Sequence, residues 1–306
     1  MAVRALFASR NRTVAERATT LAYFAATELP LLVEGETGTG KSFVAARIHR
    51  RSRPRQPFVV VDCGTLSPTL VASELFGHRA GAFTDATRSR RGWLEQAGDG
   101  TLVLDRLELL AANAQVALLR ALEERRFFPV GGAQARPFRA RVLALADAGV
   151  RARVAQGAVR LDLYHRLAGL HVELPPLRER PEDVLPFARR TLARAARAAG
   201  VPLRFDAEAE RLVAAYPWPG NFRELEAVVR RAALFARGDA IAAADLGLPP
   251  DSWPAVAGGA LARAAPLAEV ERLYALWVLA GQAGNVSRAA RVLGISRRTL
   301  IRWRSQ

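Results

Sequence analysis

Short apolar runs alternate with longer segments of helical periodicity through residues 31–174. Apolar runs bounded by glycine, proline or charged residues are typical of buried strands, and strands separated by helical patterns favour a parallel sheet. The pattern therefore predicts an α/β fold. The predicted strands are residues 31–34, 58–62, 102–105, 141–146 and 170–174.

From residue 175 onward the pattern becomes helical. In the stretch RPEDVLPFARRTLARAARAAG, Pro181 stands near a helix start, acidic residues follow it, and Gly200 marks the end. These signals predict a helical lid. Residues 248–267 are rich in Pro, Gly and Ala without an amphipathic period and predict a linker. The expected organisation is a leader at 1–8, an α/β domain at 9–174, the lid at 175–247, the linker, and a helical domain at 268–306.

Composition narrows the class of protein. The chain has 306 residues, half of them hydrophobic, which suffices for a large core and two or three modules. The formal net charge of +16 favours polyanionic partners such as nucleic acid or nucleotides. Cys63 is the only cysteine, which excludes an internal disulfide and fits a reducing cytoplasm. Because no apolar stretch suits a signal peptide or a membrane helix, we expect a soluble protein without a membrane partner.

The stretch GETGTGKS, residues 35–42, lies between an apolar run and the helical pattern SFVAARIHR. A phosphate-binding loop requires this context. Gly35, Gly38 and Gly40 permit backbone angles that turn amide N–H groups toward phosphate oxygens. Lys41, the only lysine in the sequence, would reach the β- and γ-phosphates of ATP, where a larger, planar guanidinium fits poorly. The alternative is a glycine-rich turn with an accidental lysine.

A phosphate-binding loop needs an acidic partner at the end of a buried strand. Asp105 ends the apolar run in GTLVLDRLELL, and with the Ser42 hydroxyl it would hold Mg²⁺ beside the nucleotide. In hydrolytic members of this wide class the next residue is usually a glutamate that polarises the attacking water. Here the next residue is Arg106.

The C-terminal segment predicts a helix-turn-helix. One amphipathic helix precedes two short helices that break at Gly294, and Ser296 is placed to cap the second. Residues 261–306 contain eight arginines against two acids, a local charge of +6. The last helix would read the major groove of double-stranded DNA, and other arginines would meet phosphates. A basic solvated helix is the alternative. The candidate DNA-binding residues are Arg297, Arg298, Thr299 and Arg302.

Six stretches together resemble one family from about residue 9 to the C-terminus. They are ELFGHRAGAFTDA (74–86), GTLVLDRL, LDLYHRL (161–167), LPPLRERPEDV (174–184), YPWPGNFRELE (216–226) and GNVSRAARVLGISRRTL (284–300). Together they resemble the bacterial sigma-54-dependent transcriptional activators, AAA+ proteins also called enhancer-binding proteins. The resemblance implies an AAA+ P-loop sheet with a helical lid, and a Fis-type helix-turn-helix that dimerises on palindromic, enhancer-like DNA. The helix containing Leu273, Leu276, Trp277 and Leu279 is then either the dimer face or part of the module's own core.

The family contacts sigma-54 RNA polymerase through a GAFTGA loop that moves when ATP is turned over. Gly81, Ala82, Phe83 and Thr84 match the first four residues of this loop, whereas Asp85 stands where the family has glycine. A charged side chain there would stiffen or repel the loop. Because exposed loop positions often tolerate change, we expect the sigma-54 contact to be kept.

The resemblance also assigns three arginines to the nucleotide. Arg160 and Arg166 fall on the two arginines of the family's FREDLYYRL-like stretch, which act as fingers on the γ-phosphate of the neighbouring subunit. Such action implies a homo-oligomer, from a dimer to a hexameric ring. Arg223 matches the lid arginine called sensor II, which senses the nucleotide of its own subunit.

Departures from the family surround the expected place of the γ-phosphate. Arg106 replaces the catalytic glutamate, and Asp62 replaces the asparagine that holds it. Ala146 and Asp147 replace the Thr–Asn pair of sensor I, and Asp147 remains a candidate nucleotide contact. Loss of a general base costs about 10²- to 10⁴-fold in rate, and a permanently protonated arginine cannot replace it. We expect Arg106 to pair with Asp62 or Asp147, or to lie against the phosphate. The alternative keeps hydrolysis, with Asp62, Asp147 or Glu108 as the base.

Two functions remain open at this stage. The first is an ATP-binding, DNA-binding regulator of the bacterial cytoplasm that contacts and remodels sigma-54 RNA polymerase, with hydrolysis weakened at Arg106. The second is a nucleotide-responsive DNA-binding regulator that neither hydrolyses ATP nor remodels the polymerase. The replaced glutamate leaves open whether the chain is an active ATPase.

Overall fold

The computed structural model describes residues 6–65, 67, 69–83, 86–236, 238–248, 266–282 and 285–305, with backbone only at 273, 280, 281, 304 and 305. The chain divides into two compact units. The first is Met1–Arg180 with Asn221–Arg223, and the second is Pro181–Gly220 with Glu224–Gln306. The predicted linker at 248–267 lies almost wholly outside the described residues. No helix in the described ranges is long and apolar enough to cross a membrane.

The first unit alternates strands and helices. Its helices are α1 (Arg12–Phe24), α2 (Lys41–Ser52), α3 (Val71–Phe76), α4 (Trp93–Ala97), α5 (Ala112–Glu124), α6 (Val150–Ala155) and α7 (Leu161–Leu167), with 3-10 turns at Leu107–Leu109 and Leu177–Glu179. Its strands are β1 (Leu31–Glu34), β2 (Phe58–Asp62), β3 (Gly77–His78), β4 (Arg90–Arg91), β5 (Thr101–Asp105), β6 (Arg126–Phe127), β7 (Arg136–Pro137), β8 (Arg141–Ala146) and β9 (Leu170–Glu173).

Five of these strands form one parallel sheet in the order β2-β5-β8-β1-β9. Alternate residues of each central strand enter different hydrophobic clusters, as the two-residue period of a strand requires. In β8, for example, Val142 and Ala144 pack in one cluster, and Leu143 and Leu145 pack in the other. The core therefore covers both faces of the sheet, which explains why these strands read as continuous apolar runs.

The predicted α/β fold is confirmed, and the predicted strands differ from the structure at two ends. Thr101 joins β5 because its N–H donates to the carbonyl of Pro57 at 2.9 Å. β9 ends one residue before the prediction, although the Leu174 N–H still donates to Glu34 at 2.8 Å. In the predicted leader, residues 1–5 are outside the described part of the chain, whereas Leu6 is buried and donates its N–H to Ala18 of α1.

The second unit contains the predicted lid helices. They are α8 (Val184–Ala199), α9 (Ala207–Ala215) and α10 (Asn221–Phe235), whose first three residues cluster with the first unit, joined by β10 (Arg204–Phe205), β11 (Ala240–Ile241) and 3-10 turns at Pro181–Asp183 and Ala243–Leu246. The predicted end of α8 is confirmed, because Gly200 adopts φ 69° and its N–H donates to Ala196 and Arg197. The Asp206 side chain caps α9 by accepting from Ala209 N at 2.6 Å.

The C-terminal helices are α11 (Leu267–Gly281), α12 (Val286–Leu293) and α13 (Arg297–Ser305). They share a small core of Ala275, Val278, Leu279, Ala289, Ala290 and Leu300. Leu279 is thus a core residue, while Tyr274 and Trp277 are exposed and their rings stack with centroids 6.1 Å apart. The side chain of Leu273 lies outside the described residues.

Candidate functional site

The predicted phosphate-binding loop connects β1 to α2 at the carboxyl edge of the sheet. Gly35, Gly38 and Gly40 all have positive φ, of 154°, 81° and 104°. A Cβ on Gly35 would lie 2.7 Å from the carbonyl oxygen of Leu174, and Gly40 takes its left-handed conformation directly before Lys41, the first residue of α2. Both positions therefore need glycine. The loop leads directly into the N-terminus of α2, a helix of 12 residues, and a helix N-terminus favours a bound anion.

Lys41 is held by oxygen atoms of the loop and by the residue that follows β8. Its Nζ donates to the carbonyls of Gly35 at 2.5 Å and Glu36 at 3.1 Å, and it lies 3.4 Å from Oδ1 of Asp147. The side chain is 12 % exposed. A flexible stem with a compact ammonium can meet these three acceptors together. The contact with Asp147 places the sensor I position beside the lysine.

Asp105 ends β5, and the next residue leaves the sheet in an unusual conformation. Arg106 has φ 55° and ψ 51°, the left-handed region that non-glycine residues seldom adopt. Its backbone N–H donates to Oδ1 of Asp105 at 3.0 Å. This conformation directs the Arg106 guanidinium over Gly64, where an added Cβ would lie only 2.6 Å from Cζ.

Arg106 forms a two-point ion pair with Asp62. Nε lies 2.7 Å from Oδ1, and Nη2 lies 2.5 Å from Oδ2. β2 and β5 are neighbours with Asp62 opposite Asp105, so the residue after Asp105 begins beside Asp62. The hydrogen bond from Arg106 lowers the pKa of Asp62, and the same bond raises the pKa of Arg106. Of the partners expected for Arg106, the structure selects Asp62, since Asp147 contacts Lys41.

Glu108 is a further carboxylate in this region, besides Asp62, Asp105 and Asp147. It lies in the 3-10 turn after Arg106, and its Oε2 accepts the backbone N–H of Asp147 at 3.3 Å. This bond connects the segment that follows β5 to the one that follows β8. Asp62, Asp105, Glu108 and Asp147 therefore gather at one edge of the sheet, the edge at which ligands of parallel α/β proteins bind.

The residues at this edge fit an ATP–Mg²⁺ complex. The ammonium of Lys41 and the amides of a left-handed glycine loop suit phosphate oxygens, whereas the exposed Ser42 hydroxyl and the Asp105 carboxylate are oxygen ligands of the type that Mg²⁺ prefers. Within the described ranges no three His, Cys, Asp or Glu side chains form a metal-binding group.

The candidate sensor II residue, Arg223, directly follows a residue whose backbone is bonded to the phosphate-binding loop. It is exposed in the first turn of α10, and the preceding residue, Phe222, donates its N–H to the carbonyl of Gly38 at 3.0 Å. Sequence reasoning missed three residues next to this bond, namely Glu36, Arg178 and Asn221. The available signal was an acid inside the loop and an asparagine beside the candidate arginine.

The two candidate finger arginines are exposed on α7 and just before it. Arg160 donates its backbone N–H to buried Gln115 at 2.8 Å, and its guanidinium binds Asp162 through bonds of 3.1 and 2.7 Å. This pairing lowers the pKa of Asp162 and raises that of Arg160. Arg166 donates through Nη2 to the carbonyl of Leu122 at 3.3 Å. Both guanidinium groups lie on the outside of the first unit.

The candidate sigma-factor loop begins as a compact turn between β3 and β4. Gly81 donates its N–H to Ala86 at 2.8 Å, and the Phe83 ring packs edge-on against His78 with centroids 5.0 Å apart. Phe83 remains 38 % exposed. Ala82 lies against Gly131, where an added Cβ would approach the Ala82 Cβ to 2.8 Å. Thr84 and Asp85 lie outside the described residues.

The helix-turn-helix has the predicted capping. Gly294 ends α12 at φ 66°, and Ser296 Oγ accepts the N–H of Thr299 at 3.0 Å. Arg297, Arg298 and Arg302 are exposed, and Arg297 also donates to Ser287 Oγ at 3.3 Å. Thr299 is half-buried, and its hydroxyl lies 2.8 Å from Ser296 Oγ. Three arginines are therefore available on the helix predicted to read DNA.

Three segments of the chain match models of known protein families. Residues 7–173 match the model of the Sigma-54 interaction domain, residues 178–251 match the AAA+ ATPase lid domain, and residues 266–303 match the bacterial regulatory protein, Fis family. A crystal structure of NtrX from Brucella abortus in complex with ATP is similar, with a TM-score of 0.73 and 29 % identity, covering 97 % of this chain and 68 % of that one.

Curated relatives are longer than this chain. Regulatory protein AtoC of Escherichia coli K12 is 38 % identical over 291 residues, which cover 92 % of this chain and 63 % of AtoC. The Sigma54-dependent transcriptional activator SfnR of Pseudomonas putida is 42 % identical over 226 residues, covering 73 % of this chain and 62 % of SfnR. The chain thus spans less than two thirds of either relative. Because the Sigma-54 interaction domain model matches more than half of its residues, the chain belongs to the sigma-54 interaction domain family of AAA+ proteins.

Proposed function

We propose that the chain binds ATP with Mg²⁺ at the loop of residues 35–42. Lys41 would leave Asp147 to bind phosphate, Ser42 and Asp105 would hold the magnesium ion, and Arg223 would contact the nucleotide from the start of α10. The loop geometry supports this proposal, as does the similarity to NtrX, which was crystallised with ATP and with ADP. When bound, the magnesium ion would neutralise phosphate charge.

Hydrolysis is weakened at Arg106, and its ion pair with Asp62 is the observation that carries this part of the proposal. A guanidinium that stays protonated cannot accept a proton from water. The bonds to Asp62 also occupy the carboxylate closest to Arg106. Glu108, a further alternative base, accepts the backbone N–H of Asp147 and is engaged as well.

The regulatory part of the proposal concerns DNA and the polymerase. The Fis-family segment would bind a palindromic, enhancer-like site in bacterial DNA through Arg297, Arg298, Thr299 and Arg302. The turn of Gly81, Ala82 and Phe83, continued by Thr84 and Asp85, would contact sigma-54 RNA polymerase. Arg160 and Arg166 would act on the nucleotide of a neighbouring copy in an oligomer up to a hexameric ring, where Arg160 exchanges Asp162 for phosphate.

The Arg106–Asp62 pair also favours a second candidate function. If the pair abolishes turnover, the protein would be a DNA-binding regulator in which ATP sets only the oligomeric state. Neither hydrolysis nor polymerase remodelling is part of this function. The two candidates differ in whether nucleotide changes the affinity for sigma-54.

The discriminating experiment measures sigma-54 binding by native gel shift without nucleotide, with ATP, and with a transition-state analogue of the γ-phosphate. The first function predicts a complex in a nucleotide-bound state that Phe83→Ala abolishes and that the exposed control change Phe128→Ala leaves intact. Absence of a sigma-54 complex in every state, together with nucleotide-dependent DNA binding, would select the second function. Absence of any nucleotide binding would contradict both.

A further inference from the structure

The phosphate-binding loop is hydrogen-bonded to side chains that are far away in the sequence. Glu36 accepts two hydrogen bonds from Arg178, with Nη1–Oε2 at 2.9 Å and Nη2–Oε1 at 2.7 Å. Arg178 lowers the pKa of Glu36 through these bonds, which keeps the carboxylate ionised at neutral pH. Arg180 donates through Nη2 to the carbonyl of Thr39 at 2.8 Å. The segment after β9 therefore contacts both halves of the loop.

Asn221, the first residue of α10, also forms hydrogen bonds to the loop. It is fully buried and has φ 53°, a left-handed conformation that asparagine tolerates better than most residues. Its Nδ2 donates to Glu36 Oε2 at 3.2 Å and to the Thr37 carbonyl at 3.0 Å, while its Oδ1 accepts the N–H of Leu177 at 2.6 Å. The partners fix the orientation of the amide, because only oxygen can accept from an N–H and only nitrogen can donate to a carbonyl.

These contacts determine where the loop amides point. In a trans peptide, the carbonyl of one residue and the N–H of the next point in opposite directions. The carbonyls of Thr37 and Thr39 accept bonds from Asn221 and Arg180, so the N–H groups of Gly38 and Gly40 point away from those side chains. Amide N–H groups that point away from the surrounding side chains can face a phosphate, as a phosphate-binding loop requires.

The geometry points to Asn221 as the positioning residue of the phosphate-binding loop, acting through Glu36 and Thr37. The inference rests on the proposed binding of ATP and deepens it. Asn221 and Phe222, which donates to Gly38, are consecutive residues immediately before Arg223. Nucleotide affinity and the conformation at the start of α10 are therefore thermodynamically linked, so that a change in one shifts the other.

The test replaces Asn221 by its closest isostere. In Asn221→Asp the acceptor for Leu177 remains, but a carboxylate oxygen now faces Glu36 and the Thr37 carbonyl. Asn113→Asp, at an exposed position early in α5, makes the same chemical change away from the loop and serves as the control.

The assay is titration with a fluorescent ATP derivative and Mg²⁺, together with amide hydrogen exchange at Phe222. We expect Asn221→Asp to weaken binding at least about tenfold, since hydrogen bonds are replaced by repulsion beside a carboxylate. Asn113→Asp should bind nucleotide as the parent protein does, and thermal unfolding of the same samples separates a loss of affinity from a general loss of stability. We expect nucleotide to slow exchange at Phe222 in the parent protein and in Asn113→Asp, and to slow it less in Asn221→Asp.

Each other outcome has a definite meaning. Equal affinity of the parent protein and Asn221→Asp would overturn the positioning role. Should Asn221→Asp fail to fold, Asn221→Gly retains the left-handed backbone and removes all three side-chain bonds, and parental affinity in that variant would overturn the role. A parent protein that does not bind the fluorescent nucleotide would instead contradict the proposed function itself.

Discussion

Replacing both members of the Arg106–Asp62 pair should raise the rate of hydrolysis further than replacing Arg106 alone. Arg106→Glu alone places a carboxylate against Asp62, where the present hydrogen-bond distances are 2.7 and 2.5 Å. Two carboxylates at such separations share a proton, so neither is fully available as a base. The double variant Asp62→Asn, Arg106→Glu replaces the charged partner with an amide that can donate to the new glutamate. We therefore expect a full gain only in the double variant.

The expected magnitude follows from the role of a general base, which contributes about 10²- to 10⁴-fold to a rate. The double variant should exceed the parent protein by this factor in kcat, and Arg106→Glu should gain less. Arg106→Ala and Asp62→Asn are matched controls, because each breaks the ion pair without supplying a base. Neither should gain comparably, since breaking the pair alone leaves water without a proton acceptor at this position.

The assay is phosphate release at saturating ATP, at protein concentrations that assemble oligomers, with ATP affinity measured on the same samples. A double variant that binds ATP normally and remains within about threefold of the parent kcat would show that Arg106 is not what limits hydrolysis. A gain of equal size in Arg106→Ala would contradict the expected role of the glutamate, because the guanidinium would then be an obstruction and the glutamate would not matter.

Three changes outside this pair have outcomes that can be measured independently. Lys41→Arg should weaken ATP binding at least about tenfold, because the larger, planar guanidinium cannot contact phosphate from the place that the ammonium takes beside the Gly35 and Glu36 carbonyls, and calorimetry measures this loss. Burial raises the pKa of the Cys63 thiol to about 12. With a pKa near 8.5 in the unfolded chain, the thiolate fraction of Cys63 at pH 8 should be about 2,000-fold lower in the folded protein. Iodoacetamide labelling should therefore be slow without denaturant, and rapid labelling would contradict the burial. Arg302→Ala should relax base preference and weaken binding about tenfold on DNA selected from a random pool, whereas Arg291→Ala, on α12, should instead reduce the slope of log affinity against log salt by about 0.9.

Local patterns in the sequence predicted the sheet and the phosphate-binding loop because both depend on residues close together. Runs buried on two faces identify strands, and the glycine spacing before Lys41 identifies the loop. The order of the strands is absent from such patterns, and it decides the partner of Arg106. Because β2 pairs with β5, Asp62 lies beside Arg106, while Asp147 meets Lys41 at the end of β8.

The positioning of the loop could not be predicted for a related reason. Glu36 and Asn221 are 185 residues apart, and neither is unusual in its local segment. The role of a buried asparagine at positive φ can be inferred only when the tertiary fold shows the hydrogen-bond partners of its side-chain amide. The same holds for Gln115, whose side chain fixes the backbone of Arg160 across 45 residues. Residues that act through others carry a weaker sequence signal than those that bind the ligand.

We propose that the protein binds ATP but turns it over poorly because Arg106, paired with Asp62, stands where a base is needed. The most direct test is steady-state ATP turnover by the unmodified protein, at concentrations that assemble oligomers and with nucleotide binding confirmed on the same sample. We expect saturable binding with turnover at least about 10²-fold below the roughly 10 s⁻¹ of a typical enzyme. Turnover at that typical rate would contradict this expectation, and would mean that another residue serves as the base.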